Sequence, residues 1–167
     1  MILSIVLLAL VTLQRIAELL VSRRNTRRLL ARGGYEIGAG HYPFVVALHA
    51  LWLLGLWILG WDRPVSTFWL WVFVAVQVLR AWVLITLRER WTTRIILLPG
   101  EPLVRRGPYR FMAHPNYAVV VGEILVLPLA YGLLWFGLIF SALNAAILYV
   151  RVRIESRGLA AVSWDEM

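Results

Sequence analysis

The sequence predicts an all-α polytopic membrane protein, a bundle of about five transmembrane helices whose last two form a tight hairpin. Three observations carry that prediction. The chain is 61% hydrophobic, against roughly 45 to 50% in soluble domains. Its apolar residues gather into runs of about twenty, the length that crosses a bilayer, parted by arginine-bearing loops. The final apolar stretch, Tyr117 to Val150, would be about 50 Å long as a single helix, too long for a bilayer. Pro128 and Gly132 break it, so it should fold back near Tyr131 to Leu134. No Ser/Gly-rich linker, charge block or repeat divides the 167 residues, and residues 1–167 read as one domain.

Residues 2–22 form the first span. They lack a basic n-region and a small-residue cleavage site, so they read as a retained helix and not as a signal peptide. Gln14, Arg15 and Glu18 lie on one face at i, i+3 and i, i+4 spacing and can satisfy one another. SRRNTRRLLARGGYEIGAGHY follows, a basic and partly helical loop. Pro43 to Trp61 is the second span, carrying His49, and the short turn Asp62 to Ser66 makes it antiparallel to the third, Thr67 to Leu87, which carries Gln77 and Arg80. A long segment from Arg88 to Asn116 comes next, with a turn at PGEP, residues 99–102. The hairpin starts near Tyr117.

The absence of cysteine excludes disulfides, thiolate nucleophiles and thiolate metal sites, and no metal site is predicted. All 17 basic residues are arginine and the net charge is +8. All but Arg15 and Arg80 fall in membrane-flanking loops, a pattern that reflects topology and anionic lipid and not nucleic acid. The first loop, the long third segment and the tail hold most of them, which places these parts and the C-terminus in the cytoplasm and the N-terminus outside, in an inner or plasma membrane. Trp61, Trp69 and Trp135 then fall at the outer interface. Glu18, His49, Arg80, Glu123 and Asn144 all fall in the cytoplasmic half of their spans. Intramembrane ionisable groups at one depth predict a polar cavity open to cytosol and lipid, with Arg80 as the partner of Glu123.

Gly107 to Tyr117, GPYRFMAHPNY, is the densest polar and helix-breaking stretch. Pro115 pushes His114 out of the α region, and Asn116 is expected to cap the following helix, leaving His114 beside free N–H groups that favour an anion. Taken alone it could equally be a loop among lipid headgroups. In RVRIESRGL, Arg151 and Glu155 share a helix face at i, i+4 and can meet that turn from the same side. A guanidinium suits a carboxylate, and a carboxylate suits ribose hydroxyls or an amine. As a surface ion pair it would mean little.

GPYRFMAHPNY, the apolar hairpin, and RxxxE followed by Leu159 together resemble the C-terminal signature of the isoprenylcysteine carboxyl methyltransferase superfamily, over about residues 105–159. RIAELLVSRRNTRRLL, the GYEIGAGHYP loop and RERWTTRI are similar to a bacterial branch resembling O-methyltransferases of alkylpyrones and alkylresorcinols. The resemblance implies a methyltransferase using S-adenosylmethionine, with S-adenosylhomocysteine as product, and a lipophilic small-molecule acceptor that arrives from the membrane. It implies cofactor binding by His114, Pro115, Asn116, Tyr117, Arg151 and Glu155, with Tyr109 or Tyr117 offering an aromatic face to the sulfonium. His114, Glu123 and Arg151 are the candidate catalytic residues. The base stays open between His114 and Glu123, with His41 and His49 behind them. Ala113 replaces the Arg of the common RHPxY pattern, for which Arg110 or Arg106 could substitute, and Ser156 replaces the second acid of the usual EExxL pair. A nicotinamide-dependent membrane reductase and a non-catalytic membrane adaptor or small transporter are the rival readings.

Overall fold

A computed structural model describes residues 1–164, with side-chain surroundings through residue 160. Five helices dominate it: α1 (Ile2–Ala31), α2 (Tyr42–Gly60), α3 (Thr67–Leu87), α4 (Pro115–Ala130) and α5 (Leu134–Trp164). A two-stranded antiparallel ribbon, β1 (Tyr35–Glu36) with β2 (Ile96–Leu97), pairs Tyr35 with Leu97 and Glu36 with Ile96. α1, α2, α3 and α5 are long and apolar enough to cross a membrane. The chain is therefore an all-α polytopic bundle closed by the α4–α5 hairpin.

α1 runs nine residues past the expected end of the first span, because RRNTRRLLA is built of residues that tolerate or favour helix once water replaces lipid. Gly33 stops it. With φ at +88° it takes the left-handed position after the C-cap, and Gly34 N donates to Leu29 O at 3.0 Å while Gly33 N donates to Leu30 O at 3.1 Å, the paired bonds of a Schellman end. The α4–α5 turn repeats the device. Gly132 has φ +69°, Leu133 N donates to Pro128 O at 2.9 Å and Gly132 N to Leu129 O at 3.0 Å.

α4 has 16 residues, so it is shorter than the other four helices. At ~1.5 Å per residue it spans about 24 Å, some 8 Å less than α3. The two are tied together at one end, where Ser66 N donates to Ala130 O at 2.8 Å. The start of α4 consequently falls short of the far end of α3 by about that length.

The core lies between α1, α2, α3 and the hairpin: Leu8, Val11, Trp52, Leu56, Phe73, Ile124, Leu127 and Tyr131 are buried together. Pro128 interrupts α4 from within. It has no N–H for the Ile124 carbonyl four residues earlier, and an unpaired carbonyl is costly where no water reaches. Trp52 Nε1 donates to that carbonyl at 3.2 Å.

Candidate functional site

All the long connections meet at one end of the bundle, where α1 and α3 finish, α2 and α4 start and α5 runs out of the core. Pro108 and Pro115 shape the entry to α4. His114 is its N-cap, with φ −129° and ψ 61°, and Pro115 is its first residue. Asn116 does not cap the helix as its type and position suggested. Pro115 starts the helix one residue early and needs no donor partner of its own, which frees the Asn116 side chain to accept from Trp91 Nε1 at 3.2 Å.

Tyr117 is the centre of the site. Its hydroxyl donates to Glu155 Oε2 at 2.5 Å and accepts from Arg151 Nε at 2.9 Å. The His114 ring stacks on its ring at 5.1 Å between centroids and 17° between planes, and the Arg151 guanidinium carbon lies 5.5 Å from the ring centre. His114 Nδ1 stands 3.8 Å from Glu155 Oε2, beyond hydrogen-bond reach. The HPNY turn and the RxxxE helix, separated by the whole hairpin, thus form one constellation.

That constellation lines a cleft of about 1100 Å³ together with Tyr109, Arg110, Ala113 and Ser156. Tyr109, His114, Asn116, Tyr117, Arg151 and Glu155 all reach it. Pro115 is buried behind the turn. Arg110 faces the cleft, whereas Arg106 lines a neighbouring one with Arg105 and Leu103. Burial, and then the Glu155 carboxylate, push the Tyr109 phenol up to about 12, so it remains a neutral hydroxyl at ordinary pH. Among the described residues Arg151 spends only Nε on the protein, and Glu155 Oε1 has no hydrogen-bond partner. One cleft therefore offers guanidinium N–H donors, a free carboxylate oxygen and an aromatic face. This donor set fits a zwitterionic amino acid carrying a ribose and a cationic centre.

Glu123 lies elsewhere. Its Oε1 accepts from Gln77 Nε2 at 2.8 Å and pairs with Arg15 at 2.8 Å, and its Oε2 accepts from Arg80 at 2.5 Å. Glu18 pairs with Arg15 at 3.1 Å and closely with Arg80 through both oxygens. Gln14 Nε2 bridges Glu18 Oε1 and Gln77 Oε1, each at 2.9 Å. Two carboxylates and two guanidiniums neutralise one another deep in the bundle, which removes the cost that any one of them would carry alone. Both Glu123 oxygens are occupied by this network, and Glu123 does not line the cleft. His49 bonds the Val45 carbonyl of its own helix at 2.8 Å, and neither it nor His41 reaches the cleft.

Trp91 is the residue that sequence reasoning passed over. It is 3% exposed, its carbonyl accepts from Asn25 Nδ2 at 2.9 Å, and its indole reaches Asn116. A tryptophan among arginines reads as an interfacial anchor, and nothing in the sequence marks this one as a wall of the site.

A polytopic membrane bundle with a polar cleft built from HPNY and RxxxE defines an integral membrane protein with a candidate ligand site at one end of its helices. The isoprenylcysteine carboxyl methyltransferase (ICMT) family profile matches residues 69–161, and the chain belongs to that family of membrane methyltransferases. It is 40% identical over 162 residues to the uncharacterized protein YpbQ of Bacillus subtilis, covering 94% of this chain and 96% of that one. It is 22% identical over 152 residues to an uncharacterized protein of Haemophilus influenzae, covering 87% of this chain and 88% of that one. No solved structure matches the chain.

Proposed function

We propose that the protein is an S-adenosylmethionine-dependent methyltransferase that methylates an oxygen (phenol, enol or carboxylate) of a lipophilic acceptor at the cytoplasmic side of the membrane. The observation that carries this reading is the Tyr117 hydroxyl held between Arg151 Nε and Glu155 beneath the stacked His114 ring. It joins the two motifs into one polar cleft, on a chain whose family consists of methyltransferases.

When bound, S-adenosylmethionine supplies an electrophilic methyl carbon on a sulfonium, so that the acceptor oxygen gains the O–C bond as the C–S bond breaks. The rest falls to the chain. Arg151 binds a carboxylate, Glu155 Oε1 accepts from ammonium or ribose hydroxyl, and the Tyr117 ring faces positive charge. Donors and acceptors fixed by one another would hold such a ligand in near-attack geometry. An acidic hydroxyl must lose its proton, and His114 is the titratable group at the cleft whose ring nitrogens make no hydrogen bond among the described residues. Glu123, with both oxygens engaged, holds the helices in register. The arginine-rich end carries the cleft, which supports a cytoplasmic site and an external N-terminus. Likeness in the front half to the alkylpyrone and alkylresorcinol branch favours a phenol or enol acceptor.

Mass spectrometry of lipid extracts from cells with and without the gene, fed methyl-labelled methionine, tests the reading. A labelled, chain-bearing lipid present only with the gene is expected. Identical extracts, or binding of a nicotinamide dinucleotide in place of S-adenosylhomocysteine by the purified protein, would replace it.

A further inference from the structure

Beside the cleft that holds Tyr117 and Glu155, the donor cleft of the reading above, lies another of about 750 Å³. Five arginines, Arg32, Arg88, Arg90, Arg105 and Arg106, line it with one acid, Glu89. Glu89 is paired with Arg28 at 2.6 Å, and Arg32 and Arg90 both pair with Glu101. The side chains of Arg88, Arg105 and Arg106 have neither a carboxylate nor a hydrogen-bond partner among the described residues. Two backbone features bring them together. Gly107 has φ +59° and lies so close to α3 that a Cβ would collide with the Thr86 hydroxyl, which keeps Arg105 and Arg106 at the end of that helix. Arg88 follows the last residue of α3 with φ +50°, a conformation that glycine takes freely and that costs a side chain about 1 to 3 kcal/mol. Asn25 Nδ2 and Trp91 N donate to its carbonyl at 3.0 and 3.2 Å and hold it there. Its guanidinium stands at the edge this cleft shares with a smaller cavity between α1 and α3.

Depth says which anion such arginines meet. α3 has 21 residues, about 32 Å at ~1.5 Å per residue, close to the ~30 Å of bilayer hydrocarbon. Trp82 and Ile85 in its last turns are exposed, as residues facing lipid are, so Arg88, three residues beyond Ile85, falls at the level of phospholipid phosphates. Leu103, on the cleft's own lining, is 62% exposed. A basic surface gathers anionic lipid at about 1 kcal/mol per arginine without choosing a place for it. Unpaired guanidiniums around one concave space do choose, because each can give a phosphate two parallel N–H donors. A soluble anion would use the arginines alone, whereas the apolar Trp82, Ile85 and Leu103 beside them suit an anion that carries acyl chains.

Pro102 to Arg105 line this cleft and the donor cleft alike, so that segment is the wall between them. Arg90 fastens its start, donating from Nη1 to Pro102 O at 2.7 Å. Residues 103–105 make no backbone hydrogen bond among the described residues. We propose that the arginine cleft binds the phosphate of an anionic phospholipid, and that this phosphate, bridging Arg88 at the end of α3 to Arg105 and Arg106, fixes the wall and tightens the donor cleft. The lipid's chemistry rests on the arginines and their depth alone, and the effect on the donor rests on the methyltransferase reading. A ligand that orders the wall leaves less ordering for the next ligand to bring about. Lipid and donor therefore strengthen each other's binding by one common factor.

Arg88→Gln with Arg106→Gln is the test pair, because neither residue lines the donor cleft. Arg23→Gln with Arg27→Gln removes the same charge from exposed positions on α1. In the full-length protein in detergent, fluorescence anisotropy follows phosphatidylglycerol labelled on its acyl chain, with unlabelled phosphatidylglycerol, phosphatidylcholine or inorganic phosphate as competitor. Phosphatidylcholine, whose choline cation would meet the arginines, and inorganic phosphate should each displace the probe at least about tenfold less readily than phosphatidylglycerol does. The Arg88/Arg106 pair should weaken probe binding at least about tenfold, or ~1.4 kcal/mol, and the Arg23/Arg27 pair less than about twofold. Equal weakening by both pairs, or equal displacement by phosphatidylcholine, would overturn the site in favour of a diffuse surface. Displacement by inorganic phosphate as readily as by phosphatidylglycerol would overturn it in favour of a soluble anion. S-adenosylhomocysteine, whose amino-acid charges cancel, should bind about threefold more tightly in phosphatidylglycerol nanodiscs than in phosphatidylcholine nanodiscs, or ~0.7 kcal/mol, and the Arg88/Arg106 pair should lose that difference. Equal affinity in both membranes would overturn the effect on the wall. Probe binding requires no cofactor, so its failure leaves the methyltransferase reading standing. Failure to bind S-adenosylhomocysteine in either membrane would remove that reading and leave the lipid site in place.

Discussion

Trp52 Nε1 donates to the carbonyl of Ile124 at 3.2 Å, the one carbonyl in α4 that Pro128 deprives of its helical donor. The indole comes from α2, so a proline that loosens one helix also fastens it to another. Trp52→Phe keeps most of the buried ring and leaves that carbonyl unpaired, at a cost of about 1 to 3 kcal/mol. Thermal unfolding in detergent should show a lower midpoint for Trp52→Phe, and Pro128→Ala in the same chain should recover part of it by restoring the N–H. Additive losses in the double variant would show that the two residues are not coupled.

Arg80 lies between Glu18 and Glu123 and pairs with both. Arg80→Met removes one of two cations from a buried set and strands carboxylate charge, a change that costs about 3 to 5 kcal/mol. Glu123→Gln keeps the shape and an acceptor oxygen. It should cost less and leave S-adenosylhomocysteine affinity within about twofold, because Glu123 does not line the cleft. Denaturation midpoints and calorimetry on both variants check the order. A tenfold weaker cofactor affinity in Glu123→Gln would place that carboxylate back at the site.

Tyr117→Phe deletes the hydroxyl between Arg151 and Glu155 and keeps the ring that stacks on His114. Arg151 and Glu155 lose their common anchor, so ligand affinity should fall by about three- to tenfold, or ~0.7 to 1.4 kcal/mol. Isothermal titration with S-adenosylhomocysteine measures it. Arg151→Lys should lose more, since an ammonium cannot both hold the Tyr117 oxygen and offer a planar fork.

The hairpin, the span positions and the Arg80–Glu123 pair were legible in the sequence because each follows from a local rule. Pro128 and Gly132 break helices, apolar runs set lengths, and a buried carboxylate needs a cation. The partner of Asn116 was not legible. Its residue type says N-cap, but Pro115 took the helix start and Trp91, from a loop without periodicity, took its side chain. The extension of α1 to Ala31 was hidden for a similar reason. Hydropathy marks where lipid ends and not where the helix ends, and Gly33 was the better guide.

The arginine distribution predicts the topology. Reporter tags inserted at Arg28 and at the C-terminus should be cytoplasmic, and one at Arg63 external. Protease protection in right-side-out vesicles reads all three. An external Arg28 would put the cleft on the opposite face, away from a cytosolic cofactor pool.

The most direct measurement is calorimetric titration of the purified, detergent-solubilised protein with S-adenosylhomocysteine, beside His114→Ala and Glu155→Ala. Saturable binding to the unaltered chain, weakened at least about tenfold, or ~1.4 kcal/mol, in each variant, is the predicted result. Binding of equal strength in all three proteins would contradict the assignment of the HPNY and RxxxE cleft to the cofactor, and no binding in any would contradict the methyltransferase reading itself.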